Sequence, residues 1–267
     1  MIRAIVTGAP GRMGRRLMAL MQDDPELELV GAIAHATHPA LGCDVGEIAG
    51  LGPIGLRLGH EFAASLAQAD VVIDFSVAEA TIVYLRQTME MGRAMVIGTT
   101  GFTASQRQEI DRLSKTGRCF LAANMSVGVQ VMSQLVRQAA TLLGADYDVE
   151  IIEAHHRTKI DAPSGTALRL GEIVAEVRGS NLEDTAVYGR RGTIGQRPAT
   201  DIGIQAIRAG DIVGEHTVLF GGRGERIELI HRSQSRDTFV RGALRAAQWI
   251  VPQPPGLYGM EELLRAL

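Results

Sequence analysis

Aromatic side chains are scarce, at 4% of the sequence, too few for the stacking platforms that hold single-stranded nucleic acid. The formal net charge is only −3, and no run of lysine or arginine interrupts the balance, so no nucleic-acid partner is expected. Cysteine is nearly absent. Cys43 and Cys119 cannot build a disulfide framework, and they read as ordinary thiols in a reducing compartment. No segment is apolar for the length a bilayer requires. The apolar run at the N-terminus passes straight into a glycine turn with no cleavage pattern, so the chain is read as cytoplasmic, with no membrane partner. Internal repeats and low-complexity tracts are also missing.

What remains is a chain of 267 residues, 46% apolar, with material for two cores. Its first half alternates short β-like runs (IRAIVTG, LELVGAIA, ADVVIDFS, AMVIGTTG, CFLAAN) with amphipathic helical segments. In RMGRRLMALMQDD, for example, Met13, Leu17, Leu20 and Met21 fall at helical spacing. Strands alternating with helices predict βαβ units and a mostly parallel sheet. The pattern changes near Ser126. A helix (GVQVMSQLVRQAATLLG), the strand YDVEIIEAHH, a helix from Gly165 to about Val177 and three strand-like runs follow. In the last run Ile227, Leu229 and His231 alternate, as in a sheet with one wet or partner-facing side. TFVRGALRAAQWI returns to helix with Asp237 as candidate N-cap, VPQPPG breaks it, and MEELLRAL forms a short final helix. The predicted fold class is α/β. A Rossmann-type dinucleotide-binding domain takes residues 1–125 and 237–267, and an inserted α+β substrate domain takes 126–236.

GAPGRMG sets Gly8, Gly11 and Gly14 between a strand and a helix. Gly8 suits the tight turn, Gly11 the approach of a pyrophosphate, Gly14 close helix packing, and the helix's first amides face the phosphates. An NAD-selective site of this kind carries a carboxylate at the end of the second strand. Here Ala34 and His35 stand there. The gap leaves room for a 2′-phosphate, with His35 and Arg12 or Arg16 as cationic help, and predicts use of NADPH at least as good as NADH. Equally, His35 is a solvated loop residue.

The stretch EAHHRTKIDAPSGTAL concentrates proton donors and cations before a helix. Neighbouring strand residues point to opposite faces, so His155 and His156 make a poor metal pair. No cysteine or acidic partner stands at zinc spacing, and no metal is assigned. At a strand end the alternation lapses, and both rings can line one pocket. Lys159 follows as an ammonium among other cations. Ser164 is the natural N-cap, and the amides of Gly165 and Thr166, with the Thr166 hydroxyl, form a ready carboxylate site. Together these residues describe an anionic-substrate pocket with an acid beside it.

EAHHRTKIDAPSGTA closely resembles the signature of the hydroxy-tetrahydrodipicolinate (dihydrodipicolinate) reductases of bacterial and plant lysine and diaminopimelate biosynthesis. GAPGRMG, VIDFS, VIGTTGF, AANMSVGV, RAGDIVGEHTVLF and ERIELIHRS resemble further family segments in the family's order, over nearly the whole chain. The resemblance implies a heterocyclic dicarboxylate substrate bearing an imine, hydride from NADPH or NADH, and a proton from the protein. It implies His155 as acid/base residue and Lys159 as proton donor, with His156, Gly165 and Thr166 on the substrate carboxylates. For the cofactor it implies Gly8, Ala9, Pro10, Gly11, Arg12 and Met13 at the pyrophosphate. Gly98, Thr99 and Thr100 would lie by the nicotinamide ribose, Ala122, Ala123, Asn124 and Met125 on the nicotinamide side, and Ala34 and His35 on the adenosine side. It also implies a homotetramer built through the second domain's sheet. Ala34 and His35 depart from the family's acidic and basic pair, and Met125 stands where an aromatic is common, as a flexible side chain able to cover a ring face. A related dehydrogenase on another imino or amino acid, and a nucleotide sensor that has lost catalysis, are the rival readings. The intact substrate motif opposes the first, and the presence of His155 and Lys159 opposes the second.

Overall fold

The computed structural model describes residues 1–266. In chain order the elements are β1 (Ile2–Thr7), α1 (Arg12–Met21), β2 (Leu27–Ile33), α2 (Val45–Ala49), α3 (Phe62–Leu66), β3 (Val71–Asp74), α4 (Ala78–Glu90), β4 (Ala94–Ile97), α5 (Ala104–Ser114) and β5 (Arg118–Leu121). Then come α6 (Val127–Leu143), β6 (Asp148–His155), α7 (Gly165–Val177), α8 (Leu182–Thr185), β7 (Ala186–Val187), β8 (Ile202–Arg208), β9 (Gly214–Gly221) and β10 (Arg226–Ser233). The chain closes with α9 (Asp237–Ile250), β11 (Gly256–Tyr258) and α10 (Met260–Arg265). Two units form: Met1–Val127 with the segment from Asp237 onward, and Gly128–Arg236.

In the first unit the strand order is β11-β5-β4-β3-β1-β2, and every pairing is parallel. β3 and β4 are buried at every position, as strands covered on both faces must be, which explains their unbroken apolar runs. One face packs against α1 and α9 through Leu17, Met18, Val240, Ala243 and Ile250, and the other against α4 and α5 through Ile82, Leu85 and Ile110. Fully burying a Leu, Ile or Val side chain stabilises by about 1.5–3 kcal/mol, so the returning α9 is a structural part of this unit. The order reverses between β1 and β3, and their carboxyl ends form the switch point where such sheets bind ligands.

The structure departs from expectation in small elements. α9 begins at Asp237, so this residue sits in the helix's first turn and does not precede it. Its carboxylate takes two hydrogen bonds from Arg16, at 2.9 and 2.7 Å. β11, after the proline-rich break, adds a parallel edge strand to β5. With α2 and α3, it is too short to show a period.

In the second unit the strand order is β10-β9-β6-β8-β7. β6, β7 and β8 run parallel, and β9 is antiparallel to both its neighbours. Val149, Ile151, Ile202, Ile204, Val218 and Phe220 share a core with Leu170, Ile173 and Val174 of α7 and Met132 and Val136 of α6. Register places Leu229 and His231 beside Val218 and His216 on that covered side. The opposite face carries Ile152, Ile207 and Ile230, exposed by 36%, 47% and 48%.

Candidate active site

In the first unit the loop after β1 is cut to the shape of its own backbone. Gly8 has φ +69°, and a Cβ there would fall 2.3 Å from the Phe75 carbonyl oxygen. A Cβ on Gly14 would fall 2.4 Å from the Ala9 oxygen and 2.5 Å from that of Gly8. Strand, turn and helix therefore meet at distances only hydrogen allows. Gly11 caps α1 without a side-chain hydrogen bond, which leaves the helix's first amides to an anion. The cradle fits a dinucleotide pyrophosphate. Arg15 braces the turn through Nε to the Pro10 carbonyl at 2.8 Å. Arg12 is exposed, whereas Arg16 is taken by Asp237, so of the two arginines foreseen for a 2′-phosphate Arg12 is the one without an ion pair among the described residues. Ala9 and Ala34 are buried, and His35 is exposed with Nδ1 2.8 Å from Thr37 Oγ1.

The end of β3 holds a feature that sequence reasoning did not single out. Asp74 is fully buried and accepts four hydroxyl hydrogen bonds: Thr7 at 2.5 Å, Ser76 and Thr81 at 2.6 Å, and Thr99 at 2.7 Å. This carboxylate ties the end of β1, the entry to α4 and the Gly98-Thr99-Thr100 segment into one block. Thr100 is exposed beside it. After β5, Ala122 is half-buried and Ala123 exposed, and Asn124 Oδ1 accepts from the Ser126 amide at 2.9 Å. Met125 turns inward with 2% exposure and joins the core, so its side chain packs and does not lie open to cover a ring.

In the second unit β6 ends at His155, and the amide of Ala209 donates to the His155 carbonyl at 2.9 Å. The chain then turns, with Lys159 N donating to the His156 carbonyl at 3.1 Å. This puts His156 and Lys159 on one turn. His156 Nδ1 lies 2.8 Å from Thr158 Oγ1. Lys159 Nζ donates to both oxygens of Asp161, at 2.8 and 2.9 Å. Beside the cations read from the sequence, the motif thus supplies a counter-ion for Lys159. The Lys159 ammonium holds the Asp161 carboxyl below its ordinary pKa.

Ser164 caps α7 as expected, its Oγ accepting from Ala167 N at 3.2 Å. Gly165 is exposed and Thr166 half-buried at the helix start. The cap also faces the sheet. Ser164 Oγ lies 3.1 Å from His216 Nε2, and Ser164 N donates to Glu153 Oε1 at 3.0 Å. Glu153 in turn lies 2.6 Å from His155 Nδ1 and is bound through two nitrogens of Arg208, both at 2.8 Å. The helix start and the His155 ring are therefore one hydrogen-bonded assembly. Glu153 and His216 were not singled out from sequence, although alternation along β6 puts positions 153 and 155 on one face. Burial pushes the His216 pKa down to about 4, and the neighbouring His155 adds to the fall.

Two family models divide the chain between them. One described as the N-terminus of dihydrodipicolinate reductase matches residues 2–125, and one described as its C-terminus matches 128–264. The chain belongs to the dihydrodipicolinate reductase family. A 4-hydroxy-tetrahydrodipicolinate reductase of Syntrophobacter fumaroxidans is 52% identical over 264 residues, covering 99% of each chain. One of Halorhodospira halophila is 50% identical over 259 residues, covering 97% of each. Among solved structures, a dipicolinate-bound dihydrodipicolinate reductase of Paenisporosarcina is 27% identical with a TM-score of 0.78, covering 98% of this chain and 99% of that one. An amine dehydrogenase of Mycobacterium smegmatis, 16% identical with a TM-score of 0.61, shares the fold. Membership accounts for the Rossmann-type first unit, for use of a pyridine nucleotide, and for both motifs occurring in one chain. Among the described residues no helix is long and apolar enough to cross a membrane, and no cluster of three ligating side chains could hold a metal ion.

Proposed function

We propose that this chain reduces 4-hydroxy-tetrahydrodipicolinate, by way of dihydrodipicolinate, to tetrahydrodipicolinate in the diaminopimelate route to lysine. The observation that carries the reading is the assembly at the start of α7. A histidine gripped by a buried carboxylate, a lysine one turn on and a helix N-terminus stand where a cyclic dicarboxylate needs an acid and anion contacts. When bound, the nicotinamide supplies the hydride. Gly8 to Met13 would hold its pyrophosphate, Ala34 and His35 its adenosine end, and Gly98 to Thr100 with Ala122 to Met125 the nicotinamide side. His155 and Lys159 deliver the proton that balances hydride addition. His156 and the Gly165 and Thr166 amides receive the substrate carboxylates.

NADPH serves at least as well as NADH in this reading, because no carboxylate at the end of β2 opposes a 2′-phosphate, and Arg12 is free to meet it. The enzyme works in the cytoplasm as a homotetramer joined through the uncovered face of the second sheet. The deciding experiment is steady-state oxidation of NADPH and of NADH, with substrate made in place from pyruvate and aspartate semialdehyde by the preceding synthase. Turnover with NADPH at least as efficient as with NADH is expected. Strong preference for NADH would remove the argument from Ala34 and His35. No turnover with a cofactor that still binds would remove the substrate assignment.

A further inference from the structure

Glu153 is fully buried on β6, and a carboxylate in that position must be paired or neutralised. Burial works to raise its pKa, but hydrogen bonds from Arg208, His155 and the Ser164 amide outweigh it and hold the group below its ordinary value. Arg208 grips both oxygens. An ionised carboxylate can only accept hydrogen bonds. The 2.6 Å contact with His155 therefore requires Nδ1 to carry a hydrogen, which leaves Nε2 as the nitrogen that exchanges protons. His216 does not compete for the carboxylate: its ring stands 5.2 Å from that of His155, edge-on, and its Nε2 is engaged with Ser164. Arg208 Nη2 also donates to the main-chain oxygen of Asp161 at 2.6 Å, whose carboxylate holds Lys159. One frame of ion pairs and a main-chain hydrogen bond thus runs from the His155 ring to the Lys159 ammonium.

We propose that Glu153, held by Arg208 and the Ser164 amide, is the positioning residue of the reaction: it fixes the His155 ring with Nδ1–H on the carboxylate and stabilises the imidazolium that gives up its Nε2 proton. This rests on the role assigned to His155 above. In the step, the Nε2–H bond breaks and the proton goes to the substrate atom that gains the electron pair when hydride adds. His155 is left neutral with Nδ1–H retained. The competing account makes Glu153 a structural counter-ion for Arg208, with no bearing on the ring.

The first test is nitrogen-15 NMR of the imidazoles in the wild-type protein, above the ring's titration. The Nδ1–H tautomer is expected for His155, and a predominant Nε2–H tautomer overturns the proposal. This needs no substitution, so a variant that fails to fold leaves the test standing. The second is kinetic. Glu153→Gln is expected to lower kcat roughly 10–100-fold, short of the full value of acid–base catalysis, and to leave KM within about threefold, since the loss falls on the reacting state. Combined with His155→Ala, it should be no slower than His155→Ala alone. Losses that multiply in the double variant, or a Glu153→Gln enzyme that turns over normally, overturn the proposal. Normal turnover by His155→Ala overturns the acid role itself and with it the kinetic half, and the tautomer then judges the Glu153–His155 pairing by itself.

Discussion

A histidine buried without charge makes the protein sensitive to acid. His216 has a folded pKa of about 4 against an ordinary value of 6.5, and burial lowers that of His231 as well. The groups acting on His216 are His155, His231 and Lys159, which oppose its protonation, and Glu153, which favours it. Between pH 6.5 and about 4 the unfolded chain binds a proton that the folded chain refuses, so stability falls as pH falls through that window. Across the whole window the effect of His216 is about 3 kcal/mol. Thermal unfolding from pH 7.5 down to 4.5 should show the loss, and His216→Gln, which removes the titrating ring, should flatten the curve. Parallel curves for the two proteins would place the acid sensitivity elsewhere. Two further residues are tested by truncation. Lys159→Ala and His155→Ala are each expected to cut turnover by roughly 10²–10⁴-fold, the range of lost acid–base catalysis, and near-normal rates in both would discard their roles. At this scale the sequence displays residues that form a pattern along the chain. His155, Lys159, Ser164 and Gly165 lie within one motif and could be seen. Asp74, Arg208 and His216 could not, because Thr7 and Thr99 for Asp74, Glu153 for Arg208 and Ser164 for His216 lie 25 to 67 positions away.

Among the elements, the β1–α1 junction offers an ordering that the glycine spacing alone does not supply. The spacing in GAPGRMG gives each glycine a role but does not rank what each substitution costs. In the fold, a methyl group on Gly14 would collide with two carbonyl oxygens of the turn, whereas on Gly11 it would meet only the Gly8 oxygen at 3.0 Å. Gly14→Ala should therefore displace α1 and abolish dinucleotide binding, while Gly11→Ala keeps the fold and weakens binding less. Fluorescence titration of the reduced cofactor, with thermal unfolding alongside, would check the order, and equal effects would refute it. The Asp74 block makes a second case. Asp74→Asn turns one acceptor oxygen into a donor facing hydroxyls that already donate, at a cost of about 2–3 kcal/mol for a buried charged acceptor. It should lower the unfolding temperature and loosen cofactor binding together, since the oxygen lost releases either Thr7 with Ser76 or Thr99 with Thr81. An unchanged affinity would detach the block from the cofactor cradle. The long helices were legible because each repeats its period often enough to be read, and the buried strands because each is an unbroken apolar run between turn signals. β11 at three residues and α2 and α3 at five cannot do so. Their places are set by partners: β11 by the open edge of β5, and α2 by the Asp44 side chain, which accepts from Gly46, Ile54 and Gly55.

For the molecule as a whole, the open question is what covers the second sheet. Its helix-facing side is closed by α6 and α7. Its other side presents a row running across four strands, Gln205, Ile152, Thr217 and Ile230, in register, with Ile207 beside it. A single exposed isoleucine is ordinary, but several on one flat face mark a surface built for contact. Sequence alternation told which strand positions share a face, yet it could not say which face the helices would take. On β10 it drew the eye to Ile227, Leu229 and His231, which the register places on the helix-facing side, and left Ile230 unremarked. If this face joins the tetramer, burying the third to half of each isoleucine still exposed there adds about 0.5–1.5 kcal/mol per copy, and a carboxylate in its place would have to be desolvated beside its symmetry mate. The combined variant Ile152→Glu, Ile230→Glu should therefore dissociate while each chain keeps its core, because neither side chain contributes to the packed side of the sheet. Sedimentation velocity at micromolar concentration is the measurement: four chains for the wild type, fewer for the variant, with matching circular dichroism. A wild-type monomer, or a variant that still assembles, would show that this face is not the one through which the chains meet.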